Sequence, residues 1–218
     1  MSHYSFYLAA VALVGSSLLA SCGPPQSSEK DAVAKATDQA AAAADTSAQG
    51  ATPRLLATFP DSLNTPDGLA LAPDGRVFLS VPNLADNQYP ARIVELVGNG
   101  YQPFLDNLPP EPTTKKAAPM DLAVGPDGNL YYAENQYENN KDSKSRLMRV
   151  LMSGGKPGKI ETAVDGLALA NGVVWKGNNL YVTDSQWDMP NNDKGSAIMH
   201  FTLADLKPGT TIHMQSEN

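Results

Sequence analysis

The chain has 218 residues, enough for one or two domains, and a net charge of −7 from 23 acidic and 16 basic side chains. No Lys/Arg block is long enough to track phosphates, so nucleic-acid binding is excluded as a reading. The bases that do cluster, Lys115-Lys116 and Lys141 to Arg149, sit beside turn residues and read as solvated loops.

Phe6 to Ala20 is an apolar run of signal-peptide length, too short for a comfortable span. It ends in Leu19-Ala20-Ser21-Cys22, and Cys22 is the one cysteine of the sequence, so it has no internal disulfide partner. Residues 1–21 therefore read as a signal peptide. Gly23 to Thr52 is rich in Ala, Ser, Pro, Gln and Thr, with an alanine run at Ala40 to Ala44. It cannot bury a core, and residues 22–52 read as a tether in which a frayed helix forms at most.

From residue 53 onward one phrase recurs. It reads Asp67-Gly-Leu-Ala-Leu-Ala-Pro-Asp-Gly-Arg-Val-Phe-Leu-Ser80, then Met120-Asp-Leu-Ala-Val-Gly-Pro-Asp-Gly-Asn-Leu-Tyr-Tyr-Ala133, then Asn171-Gly-Val-Val-Trp-Lys-Gly-Asn-Asn-Leu-Tyr-Val-Thr-Asp184. Asp67, Met120 and Asn171 share one column, 53 and then 51 residues apart. Each copy is an apolar run, a Pro-Asp-Gly or Gly-Asn-Asn turn, and a second apolar run. Pro presets φ in such a turn, and Gly and Asn accept positive φ. The two runs are then antiparallel neighbours. A period near 50 residues, repeated with the same strand order, predicts an all-β propeller of four-stranded antiparallel blades rather than a sandwich meander.

In chain order, Arg54 to Phe59 reads as a strand or as the end of the tether. Blade one spans about residues 55–107, with strands 69–72, 76–81, 91–97 and 101–105. Leu108 to Pro119 is a proline-rich crossover without a helix. Blade two spans about 119–164, with strands 121–125, 129–134, 145–152 and 159–163. Its glycine-rich turn, Ser153 to Gly158, lacks the Walker spacing and precedes a strand, so it is not a phosphate loop. Blade three spans about 170–218, with strands 172–176, 180–184, 196–202 and a fourth at 210–214. The loops after each second strand, 82–90, 135–144 and 185–195, all leave from one face, beside the starts of the first strands. Propellers have about four to eight blades. Three blades leave two raw flanks, so ring closure is expected either by further carboxy-terminal blades or by a second copy of the chain.

Two resemblances add to this reading. Leu19-Ala-Ser-Cys22 resembles the lipobox of bacterial lipoproteins, which implies cleavage before Cys22, its acylation, and anchoring in the bacterial cell envelope. Gly23 after the cysteine implies the outer membrane where one exists. Pro66-Asp67-Gly68, Pro73-Asp74-Gly75 and above all Ala170-Asn171-Gly172-Val-Val-Trp175 with Leu180-Tyr-Val-Thr-Asp184-Ser185 resemble the senescence-marker-protein/gluconolactonase family, over roughly the amino-terminal half of such a protein. The resemblance implies a six-bladed ring, a divalent metal in its channel, usually calcium, and lactone or ester hydrolysis. It implies Asp67 and Asn171 as metal ligands. Asp121 follows Met120, which stands where the family carries Asn, and matches a neighbouring acid. Asp184 and Trp187 are candidate site-lining residues, and Trp187 suits stacking on a sugar-like or aryl ligand. No catalytic residue is assigned. Asp67-Gly68 also fits a plain turn, Asn171-Gly172 a positive-φ corner, and Asp184 a loop cap. His200 and His213 read as packing or surface, and no serine-hydrolase elbow is present. A non-catalytic propeller that binds a sugar, a peptide or a protein at the cell surface is the competing reading.

Overall fold

The computed structural model describes residues 53–86, 88–189 and 192–214, and side chains in the last hairpin only up to 186 and again from 195. Cys22, the signal peptide and the tether lie outside the described residues. Twelve strands and one short 3-10 turn, Asp61–Leu63, make up the described fold. No described helix is long and apolar enough to cross a membrane.

The first sheet runs β1 (Leu69–Leu71), β2 (Val77–Val81), β3 (Arg92–Val97) and β4 (Gly100–Leu105) in that order, all antiparallel. The second holds β5 (Pro119–Val124), β6 (Leu130–Glu134), β7 (Ser145–Ser153) and β8 (Lys156–Leu167), again as a meander. The third is β9 (Leu169–Lys176), β10 (Asn179–Met189) and β11 (Asn192–Thr202). β1 lies against β5, and β5 against β9, so the first strands stand side by side and the sheets follow one another like blades. The described chain is thus a partial propeller of three sheets, each built on a meander of antiparallel strands.

The packing explains the sequence pattern. Ala70, Ala72, Phe78 and Ile93 of the first sheet pack against Leu122, Leu130, Tyr132 and Met148 of the second. The opposite face of the second sheet, with Tyr131, Ala133, Leu147 and Val164, packs against Ala170, Val173, Leu180 and Val182 of the third. All of β6 is consequently buried, which is why Leu130-Tyr-Tyr-Ala133 shows no polar alternation. Gly125 is small for a reason: an added Cβ would stand 2.9 Å from the Tyr131 ring and 3.3 Å from Trp175. Trp175 meets Tyr131 edge-on at 5.2 Å, at the junction of the second and third sheets.

Three expectations are corrected. Arg54 to Phe59 forms no strand; Phe59 instead packs with Leu63, Leu79, Val81 and Val94 on the outer face of the first sheet. Residues 185–189 and 192–195 are not loop, because they continue β10 and β11 as paired strands, with Trp187 opposite Gly195 and Met189 opposite Asn192. Register shifts on either side of Trp187, and a φ of 64° at Gln186, mark the bulge that allows this. Finally, the last strand, β12 (Ile212–His213), does not complete the third sheet. It pairs in parallel with β8, at the outer edge of the second.

That return is held by Arg149. Its guanidinium, fully buried, donates to the carbonyls of Leu206 (2.7 Å) and Lys207 (2.9 Å) and to Glu161 (2.8 Å). The same Glu161 oxygen accepts the Gly209 N–H at 3.0 Å. Thr211 donates to the Thr162 carbonyl, and the Met214 N–H to that of Asp165. These bonds outcompete the third sheet's free edge for the segment 203–214.

Candidate functional site at the starts of the first strands

Strand direction brings the starts of β1, β5 and β9 to one end, together with the 82–90 loop and the 106–118 crossover. The Asp67 N–H donates to the Ser80 carbonyl and the Ser80 N–H to that of Gly68, both at 3.0 Å, which extends the β1–β2 ladder past the assigned strand. The buried Ser80 hydroxyl accepts the Gly68 N–H at 2.9 Å and donates to the carbonyl of Met120. One side chain therefore stitches the first sheet to the second at the site. Gly68 permits the closeness: a Cβ there would lie 2.5 Å from the Cα of Asp121 and 2.6 Å from its Oδ1.

Asp121 performs the corresponding task toward the third sheet. Its Oδ1 accepts the Leu122 N–H at 2.9 Å and its Oδ2 the Val173 N–H at 2.8 Å, two residues beyond Asn171. Asp67 stands beside it. Asp67 is exposed; the partial loss of water around its carboxyl pushes it up from its ordinary value, and the negative charge of Asp121 pushes it further. Asp67 and Asp121 are thus brought together. Met120 is not part of this polar end, since its side chain is buried in the core between the second and third sheets. Asn171 is half-buried on β9, and its side chain forms no hydrogen bond within the described residues. Asp184 lies apart from the pair. Fully buried, it accepts the N–H groups of Ala168 (3.0 Å) and Leu169 (2.6 Å) and so fixes the corner between β8 and β9. Burial raises its pKa, and those two bonds oppose the rise. Trp187 lies on β10, in a stretch whose side chains are not described.

A second polar cluster supports the same end. Glu134, at the end of β6, is buried and is met by the Arg146 Nε and, at 2.6 Å, by the Gln136 amide. Burial raises its pKa, and the Arg146 charge opposes the rise. Arg146 also donates to the Pro109 carbonyl at 3.1 Å and Gln136 to that of Lys116 at 3.0 Å. Glu111 accepts the N–H groups of Thr113 and Thr114 within the crossover. This network holds the helix-free crossover onto the second sheet. Ser80 and the Glu134–Arg146 pair were invisible to sequence reasoning. Their partners lie in other segments, and a Ser or a Glu at a strand end carries no local sign of burial.

Among the described residues no three His, Cys, Asp or Glu side chains converge as a metal site would require. Calcium takes about six to eight oxygen ligands. Asp67 and Asp121 furnish two carboxylates, and both Asp121 oxygens already accept N–H bonds. The described residues therefore do not by themselves fit a calcium ion.

No family model and no curated protein sequence matches the chain. Among solved structures it is similar to the PQQ-bound aldose sugar dehydrogenase of Streptomyces coelicolor, at 20% identity and TM-score 0.48, over 73% of this chain and 50% of that one. It is similar to a putative glucose dehydrogenase of Thermus thermophilus, at 21% identity and TM-score 0.46, over 71% and 48% of the two chains. It is also similar to a gluconolactonase of Xanthomonas campestris, at 16% identity and TM-score 0.43, over 69% and 50%. The matched part is about half the length of each of these proteins. At such TM-scores no activity passes from them to this chain.

Proposed function

We propose that this chain forms part of a six-bladed, lipid-anchored propeller that hydrolyses a lactone or a related ester. The observation that carries the reading is the meeting of Asp67 and Asp121 at the starts of adjacent first strands. Hydrolysis needs a group that takes a proton from the attacking water. A carboxylate whose pKa is raised by burial and by a like charge is a better acceptor than an ordinary surface acid. Asp67 is an exposed side chain, and partial loss of water around its carboxyl, with the neighbouring charge of Asp121, moves it in that direction. Asp121 holds the β9 backbone in place and supplies the second charge.

Two like charges at one place also favour a cation. The oxygens missing from its shell would come from the blades that close the ring, or from a second copy of the chain. Anchoring would follow from acylation of Cys22, placing the ring at the bacterial envelope. A second reading, a propeller that binds a sugar, peptide or protein without turnover, is favoured by one observation: Met120 fills the second-blade column with a buried thioether instead of an oxygen donor.

The test is lactonase activity of the ring-complete protein, with and without chelator, in wild type and Asp67→Asn. Loss of about 10²-fold or more in kcat with an unchanged fold is expected, as for removal of a general base. A rate untouched by Asp67→Asn would remove Asp67 as the base, and no lactonase rate in the wild type would leave the binding reading in possession. Membrane fractionation of Cys22→Ser tests the anchor separately.

A further inference from the structure

The first and third sheets repeat one element at the same place. In the first, the Gly68 N–H donates to the Ser80 hydroxyl at 2.9 Å, and that buried hydroxyl donates in turn to the carbonyl of Met120 on the next sheet. In the third, the Gly172 N–H donates to the Thr183 hydroxyl at 2.7 Å. Gly172 stands in the column of Gly68, so the pair Gly172–Thr183 corresponds to the pair Gly68–Ser80. The likeness ends at the next step. Thr183 is exposed, and among the described residues nothing accepts its hydroxyl proton. The glycines differ in the same way. A Cβ at Gly68 would strike Asp121 of the neighbouring sheet, whereas the three atoms nearest a Cβ at Gly172 all belong to Thr183. The third sheet carries the latch without the carbonyl it would close on.

The matching carbonyl is that of the Met120 column. In the first sheet this column holds Asp67, whose carbonyl accepts no hydrogen bond among the described residues. The side chains agree. Leu69 stands in the column of Leu122, yet it is 59% exposed where Leu122 is 2%. Ile198 lies opposite Thr183 as Leu147 lies opposite Ala133, and it is exposed where Leu147 is buried in the core shared with the third sheet. Phe59 and Leu63 already cover the outer strands of the first sheet. Contact therefore falls on β1 and on the hollow beside it, lined by Leu56, Phe59, Leu69 and Leu79.

Both halves of this joint lie on one polypeptide, and the inter-sheet packing of the chain continues through them. We infer that the third-sheet flank of one copy docks on the first-sheet flank of a second copy, with Thr183 donating to the carbonyl of Asp67 of the partner subunit. Two such contacts about a two-fold axis close one ring from the three sheets of each copy, within the range of about four to eight blades that propellers use. The inference rests on the ring in the proposed function and not on its chemistry. Its test reads association alone, so either can fail without the other.

The experiment uses the full chain in mild detergent, with Cys22→Ser so that introduced thiols are the only ones. Ala70 shares a core with Leu122, and Ala123 with Val173, which puts Val174 against Leu69 of the partner subunit. Both positions are exposed, so cysteines there leave the fold intact. Under mild oxidation, Leu69→Cys mixed with Val174→Cys should give a disulfide-linked dimer, and neither variant alone should. The double variant should stop at a dimer. In sedimentation equilibrium Thr183→Val should weaken the dimer about fivefold or more, through two lost hydrogen bonds, and Thr183→Ser should restore it. A chain that stays monomeric, single variants that link to themselves as readily as to each other, longer polymers from the double variant, or a Thr183→Val dimer as tight as wild type would each overturn the inference.

Discussion

The second sheet and the two that flank it are built from the same phrase and end up in opposite conditions. The second is covered on both faces, and its central strand β6 is buried throughout. Its outer edge is closed by β12 and the Arg149 clamp. The first sheet leaves Leu69 59% and Leu71 71% exposed, and the third leaves Val174 59% and Ile198 70% exposed. The same apolar strand is core in one place and surface in another because burial is supplied by the neighbouring blade and not by the strand. Stability should therefore concentrate in the middle, and association at the flanks.

The clamp is the place where this contrast can be broken most sharply. Arg149→Met keeps the apolar stem and removes three charge-assisted bonds, leaving Glu161 and two carbonyls without the guanidinium. Breaking one side of such a buried pair costs about 3–5 kcal/mol. Urea unfolding should show a loss of that size, and limited proteolysis should cut within 203–214 in the variant and spare that segment in the wild type. An unchanged midpoint would mean that the middle sheet owes nothing to its closed edge.

A milder lever is Glu161 itself. Bonds from the Gly209 N–H, Lys159 and Arg149 hold its carboxyl down at about 2, against an ordinary 4.5. The folded state therefore binds this proton more weakly than the unfolded chain does. Its contribution to stability is complete above pH 4.5 and is lost as pH falls toward 2. Glu161→Gln should cost on the order of 1–3 kcal/mol at pH 7, the range for bonds to a charged group. The variant and the wild type should converge in urea midpoint as the pH is lowered through that window. A constant difference across it would assign the effect to packing instead.

These two residues also show what the sequence could and could not disclose. The three-fold phrase, its Pro-Asp-Gly turns and its spacing made the strands of the first two sheets legible to within a few residues, because turn chemistry and alternation are local. The bringing together of Asp67 and Asp121 was half legible. The repeat put both at first-strand starts, but nothing local told that Asp121 would reach the Val173 N–H, 52 residues on. The return of β12 to β8 was not legible at all. It depends on a buried arginine meeting carbonyls more than fifty residues away, whereas the period favoured a fourth strand in the third sheet. Trp187 misled in a similar way: polar residues around it suggested a loop, and a bulged hairpin accommodates them.

The smallest effect on stability, and the sharpest on association, belongs to the bare flank. Leu69 and Leu71 point away from the first two-sheet core, whereas Ala70 between them points in. The adjoining hollow, about 320 Å³, is lined by Leu56, Phe59, Leu79 and Leu96, and Asp67 stands at its rim. Replacing both leucines by threonine keeps β propensity and removes exposed apolar area. Since little of either side chain is buried in the single chain, unfolding in urea should move by no more than about 0.5 kcal/mol. Sedimentation of residues 53–218 should respond far more, with self-association weakened about tenfold or more, since an exposed apolar patch of this kind drives contact with any matching surface. A large loss of stability with association unchanged would reverse the comparison. It would show that the first sheet already buries these leucines within one chain, and that its outer face is as finished as that of the second.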